Sequence, residues 1–170
     1  MSRHYKRKHS VLKSDYVRSS FFGIEDSLVS TTGLIAGIAV ATPDKQFIIL
    51  AGIIAIAVEA ISMAAGEFLS EETTQDLTQG KNKANPLIGG FIMLLSYFGA
   101  GLVPLLPIII LPSSYALPAA ITAALFGLFA LGYVRGLATN RPPLRQALRV
   151  FLIGGVATFI GIVVGILYKV

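Results

Sequence analysis

Asp26, Ser30, Glu59, Met63 and Glu67 are the residues whose types and spacing could do chemistry in this chain. Glu59 lies near the middle of an apolar stretch, Phe47 to Leu69, and Met63 follows four residues later. A stretch of that length crosses a bilayer, which needs ~20 mainly apolar residues. A carboxylate at such depth costs about 3 kcal/mol or more unless it meets a partner or a wet cavity. No cation in the first two apolar stretches could pair with Glu59, so a purely structural role is hard to sustain for it. Asp26, Ser30, Gly33 and Gly37 fall on one helical face at offsets of four, seven and eleven. Glu59, Ser62, Met63, Gly66, Glu67 and Ser70 form a second stripe of the same kind. Carboxylates supply charge and hard oxygen, and a thioether adds a soft ligand. Oxygen alone would suit Mg²⁺ or Ca²⁺. The methionine moves the expectation toward a softer first-row ion such as Fe²⁺. Each residue also has a plain alternative: Met63 as core packing, Asp26 as a hydrated charge near the interface, Glu67 as part of a solvated helix end.

The elements that must position these residues are membrane helices. The chain has 170 residues, 54% hydrophobic and only 14% charged, with mean hydropathy +0.73. A soluble domain would be about a quarter charged. The fold class is all-α integral membrane. Five spans are predicted, at about 21–42, 46–70, 87–111, 115–136 and 149–169. Residues 1–20 form a basic tail without the apolar core of a cleaved signal peptide. Two polar linkers, 71–86 and 137–148, divide the single domain 21–170. The turns at Thr42–Lys45 and Pro112–Ser114 are tight.

Charge placement sets an orientation. With the N-terminus inside, cytoplasmic segments hold Arg3, Lys6, Arg7, Lys8, Lys13, Arg18, Lys81, Lys83, Arg135, Arg141, Arg145 and Arg149. Outside segments hold only Lys45 and Lys169. That bias predicts a cytoplasmic N-terminus and an outside C-terminus. The net charge of +5 is therefore read as topology rather than nucleic-acid binding.

Depth can be estimated from the first turn. Spans one and two run antiparallel from a turn near residue 44, so equal depths have residue numbers summing to about 88. Asp26 is then level with Ser62 and Met63, and Glu59 with Val29 and Ser30. Glu67 lies about one turn nearer the cytoplasm, where Glu71, Glu72 and Asp76 continue an acidic run. Glu67, Glu71 and Glu72 are the expected cytoplasmic entrance. Gly33 with Gly37 and Gly161 with Gly165 have the spacing that lets backbones approach in lipid. Pro104 and Pro107 should bend span three.

Enzyme constellations are missing: the sequence has no GxSxG, no HExxH and no Walker A loop. His4 and His9 lie in the basic tail, away from the acids. With no cysteine there is no disulfide or thiolate site. No prosthetic group is expected.

The segments FGIEDSLVSTTGLIAG (22–37), AISMAAGEFLS (60–70), NPLIGG with PLLP (85–107) and LRVFLIGGVATFIGIVVG (148–165) resemble the vacuolar iron transporter family, with its nodulin-21-like and bacterial relatives. The resemblance covers roughly residues 20–170. It implies a five-helix homodimer that moves Fe²⁺, or in some members Mn²⁺, out of the cytosol in exchange for protons. By it, Asp26 matches the aspartate of the first helix and Met63 the metal-path methionine of the second. Ser27 stands where glycine is usual, and Ala55 where one branch has a glutamate. Glu59, one turn away, is the replacement we infer. The long glutamate-rich cytosolic domain of that branch is reduced here to the short 71–86 linker.

The sequence thus predicts a multi-pass, homodimeric carrier, not an enzyme, exporting Fe²⁺ or Mn²⁺ against protons. Asp26, Glu59, Met63 and Glu67 would handle the metal, and Glu59 would take up a proton as metal leaves. The cell membrane is favoured over an organelle. The alternatives are a non-transporting scaffold or sensor with the same pocket, and a carrier of organic cations.

Overall fold

The computed structural model describes residues 3–79 and 84–169, with side chains from residue 15 onward. Lys81 and Lys83 lie outside the described residues, as do the side chains of Arg3, His4, Lys6, Arg7, Lys8, His9 and Lys13. Five helices follow one another: α1 (Arg3–Ala41), α2 (Lys45–Leu77), α3 (Pro86–Ile110), α4 (Ser113–Ala138) and α5 (Pro143–Leu167). All five contain a segment long and apolar enough to cross a membrane, that of α1 beginning at Asp15. The described residues include no strand. In lipid this is the expected economy, because a helix satisfies its backbone groups internally.

Helix ends are fixed by local chemistry. Asp44 caps α2, its Oδ1 accepting from the backbone N–H of Gln46 (2.9 Å) and Phe47 (3.1 Å). Asn85 caps α3 by accepting from Leu87 N–H, with Pro86 as the first helical residue. Tyr16 of α1 ties this end down, its hydroxyl accepting from Asn85 N–H at 2.9 Å. At the opposite end Lys45 Nζ donates to Leu111 O at 2.9 Å. A cation there complements the carbonyl end of α3. Asn140 closes α4 with φ of 53° while Arg141 N–H donates to Gly136 O, a left-handed cap that asparagine tolerates.

Three predicted boundaries move. The helix of span one begins at Arg3, and that of span two runs through Glu71, Glu72 and Asp76 to Leu77. Hydropathy locates the part of a helix that is in lipid, whereas backbone hydrogen bonding continues into water. The basic loop 137–148 likewise shrinks to residues 139–142, since α4 reaches Ala138 and α5 starts at Pro143.

Helices α1 and α3 form the centre. α3 packs along both α1 and α2, α1 along α5, and α4 along α5, while α1 and α2 touch each other less. One core group joins Ile35, Ile48, Ile56, Leu105 and Ile108; another joins Leu28, Ala124, Leu128 and Val150. Lipid tails are as apolar as these side chains, so fit rather than hydrophobicity holds the helices together. The α1–α5 seam has the tightest fit. A Cβ at Gly37 would stand 2.8 Å from Gly161 O, and Cβ atoms at Gly161 and Gly165 would collide with the carbonyls of Gly33 and Gly37. The close-approach face of Gly33 and Gly37 is used within the chain, against the equally spaced glycines of α5.

Candidate functional site

Ser30, Glu59 and Tyr97 meet in a triangle of oxygens. Ser30 Oγ donates to Glu59 Oε2 at 3.0 Å and lies 2.6 Å from the Tyr97 hydroxyl. The Tyr97 hydroxyl in turn donates to the same Glu59 Oε2. Three helices supply the corners: α1, α2 and α3. The depth estimate had set Ser30 level with Glu59, and the antiparallel α1–α2 pairing brings them into contact. Tyr97 is completely buried, and its ring holds the hydroxyl in place. Its own backbone carbonyl accepts from Ser27 Oγ at 2.6 Å. Ser27 therefore bolts α1 to α3 beside the triangle, the use found for a residue that stands where glycine is usual.

Asp26 stands one turn before Ser30 on the same face of α1. Glu59 Oε1 has no donor among the described residues.

Met63 and Glu67 stand one and two turns along α2 from Glu59, toward the Asp15 end of the bundle. Both line a cavity of about 1150 Å³ whose walls also include Glu25, Arg18, Arg135 and Met93. Each acid of this cavity is met by an arginine. Arg18 lies 3.4 Å from Glu67, whose Oε1 also accepts from Ser19 Oγ at 2.5 Å. Arg135 lies 2.9 Å from Glu25. The first pair joins α1 to α2 and the second joins α4 to α1, across the mouth of the cavity.

The predicted residues are therefore divided between two places. Glu59 stands with Ser30, Asp26 lies one turn from Ser30 along α1, and Met63 and Glu67 line the cavity. Glu71 and Glu72 do not line it. Glu71 is buried, at 5% exposure, and Glu72 is exposed. Among the described residues no three acidic or histidine side chains come together as a closed metal cage. Tyr97 and the two arginines were not singled out from sequence. A tyrosine hydroxyl in an otherwise apolar span needs a partner, and that signal points to Tyr97.

The model of the VIT family matches residues 17–84 and 76–166, two pieces that overlap at the α2–α3 connection. Vacuolar iron transporter 1 of Arabidopsis thaliana is 25% identical over 217 residues, covering 91% of this chain and 86% of the relative. That alignment is longer than the 170 residues of this chain, so the relative carries additional residues. Vacuolar iron transporter homolog 1 of the same plant is 29% identical over 156 residues, covering 84% of this chain and 78% of the relative. VIT-like transporter 1b of Glycine max is 27% identical over 165 residues, covering 84% and 71%. The first two names place those relatives at the vacuole, so they lend no support to the expected cell membrane. Because the family model spans all five helices and more than half of the chain, this membrane protein belongs to the VIT family.

Proposed function

We propose that this chain carries Fe²⁺, with Mn²⁺ as the second candidate cargo, and exchanges it for protons at Glu59. The observation that carries this reading is the triangle on Glu59 Oε2. It has three oxygen–oxygen edges but only two hydroxyl protons, those of Ser30 and Tyr97. A third proton, on Glu59, gives every edge its own hydrogen. With Glu59 ionised, both hydroxyls turn to the carboxylate, and Oε1 is free to take a cation with Asp26. Proton and metal are then alternatives at one carboxylate, which is what exchange requires.

The route runs from the cavity at the Asp15 end. Glu67 receives the ion there, Met63 offers sulfur, and Asp26 with Glu59 hold it deeper. Glu71 and Glu72 remain outside this route. Thioether sulfur favours a softer ion over Mg²⁺ or Ca²⁺. Among the described residues of one protomer too few acids converge to enclose an ion, so we infer a homodimer in which a second copy completes the site. The charge bias supports the cavity end as cytoplasmic and the opposite end as outside, hence export. The relatives named as vacuolar iron transporters support iron as the cargo.

Uptake of Fe²⁺, Mn²⁺, Zn²⁺ and Mg²⁺ into proteoliposomes tests the reading. Saturable Fe²⁺ flux that Mn²⁺ inhibits and Mg²⁺ does not is expected. Equal flux for all four, or none, would refute it.

A further inference from the structure

Arg141, Arg145 and Arg149 stand apart from the other arginines at the same end of the bundle. Arg18 and Arg135 are each paired with a glutamate. Arg141, Arg145 and Arg149 are exposed, and none pairs with an acid among the described residues. Arg145 and Arg149 are four residues apart on α5, and Arg141 sits in the turn just before it. Three unneutralised guanidinium groups on one side of a helix end call for an anion.

The same side of α5 continues as an apolar strip. Leu152, Val156 and Ile160 follow Arg149 at offsets of three, seven and eleven, and all are more than half exposed. Helical geometry puts these offsets on the face that carries Arg145 and Arg149. The distance from Arg149 to Ile160 is about 16 Å at the helical rise, close to half of the hydrocarbon thickness. The face thus changes from charged to apolar once, and its apolar part is one leaflet deep. A free anion would have no use for the strip. A second copy of the chain, docked two-fold about this face, would bring like charges together.

We propose that this face of α5 seats an anionic phospholipid. The phosphate lies among Arg141, Arg145 and Arg149, and an acyl chain runs along Leu152, Val156 and Ile160. The site needs nothing from the Glu59 region and holds whether or not the chain moves metal.

Thermal unfolding of the full-length protein in neutral detergent tests it, with phosphatidylglycerol, phosphatidylcholine or inorganic phosphate added. Phosphatidylglycerol should raise the midpoint by about 3 °C or more in a concentration-dependent way, and the other two should not. Replacing all three arginines by glutamine should abolish that rise while leaving the midpoint in phosphatidylcholine unchanged. Arg149→Gln alone should weaken the lipid response about fivefold in concentration, and the triple lysine variant should keep most of it. The proposal fails if the glutamine variant responds to phosphatidylglycerol as the parent does. It fails equally if inorganic phosphate matches the lipid. A fall in particle mass of the glutamine variant would assign the face to a second copy and overturn the lipid.

Discussion

Tyr97 donates its hydroxyl proton to the Glu59 carboxylate from the completely buried core of α3. The ring cannot swing away without vacating a packed site, so the oxygen it contacts is held in one place. Tyr97→Phe keeps the ring and removes only that donor. A hydrogen bond to a charged group is worth about 1.5–3 kcal/mol. Metal flux should fall roughly tenfold or more, and its pH response should flatten, with the helices intact by circular dichroism. Flux and pH response equal to the parent would remove Tyr97 from the site.

Met63→Leu separates sulfur from volume. The swap preserves size and apolarity, so it should cost less than ~1.5 kcal/mol of stability. Flux of Fe²⁺ should drop, either in rate or in apparent affinity. Thermal unfolding and metal titration of one preparation check both halves. A variant with the parent's behaviour toward every metal tested would make Met63 packing alone.

The ion pair of Arg18 with Glu67 puts a tethered cation where an arriving metal would bind. Arg18 is 63% exposed, and such pairs stabilise by under ~1 kcal/mol. Arg18→Gln should therefore leave the melting temperature nearly unchanged while lowering KM for Fe²⁺ uptake. An unchanged or raised KM would show that Glu67 is not on the route.

The glycine seam makes a prediction about folding alone. Gly161→Leu would drive a side chain into the Gly33 carbonyl. Clashes of this kind with backbone cost about 3 kcal/mol or more, so folded protein should be largely lost in detergent. A Cβ at Gly99 would meet nothing within 4 Å. Gly99→Ala should be neutral or stabilise by up to about 1 kcal/mol. Similar yields for the two variants would contradict the α1–α5 contact.

The sequence carried the membrane class and the five helices because apolar runs longer than ~20 residues admit few other readings. It also carried the common depth of Ser30 and Glu59, since a tight turn fixes the register of two antiparallel helices. What it could not supply was the third helix. Spacing within α3 does not tell which of its faces meets α1 and α2, so Tyr97 stayed hidden among apolar neighbours. The glycines illustrate the same limit: Gly33 and Gly37 announce a close contact but not its partner, which turned out to be α5. Ion pairs such as Arg18 with Glu67 join residues 49 positions apart, beyond the reach of any local pattern. Helix ends in water were missed for another reason, as polar residues continue a helix without any change in hydropathy to mark it.

The central claim is that metal and proton alternate on Glu59. Glu59→Gln preserves the shape of the side chain and removes its capacity to change charge. Fe²⁺ flux into proteoliposomes should be measured for parent and variant, with and without an imposed pH gradient. The account predicts that a proton gradient directed against the metal accelerates the parent. It also predicts that Glu59→Gln abolishes most of the flux and leaves the remainder insensitive to the gradient. Parent-like flux in Glu59→Gln, still driven by the pH gradient, would contradict it.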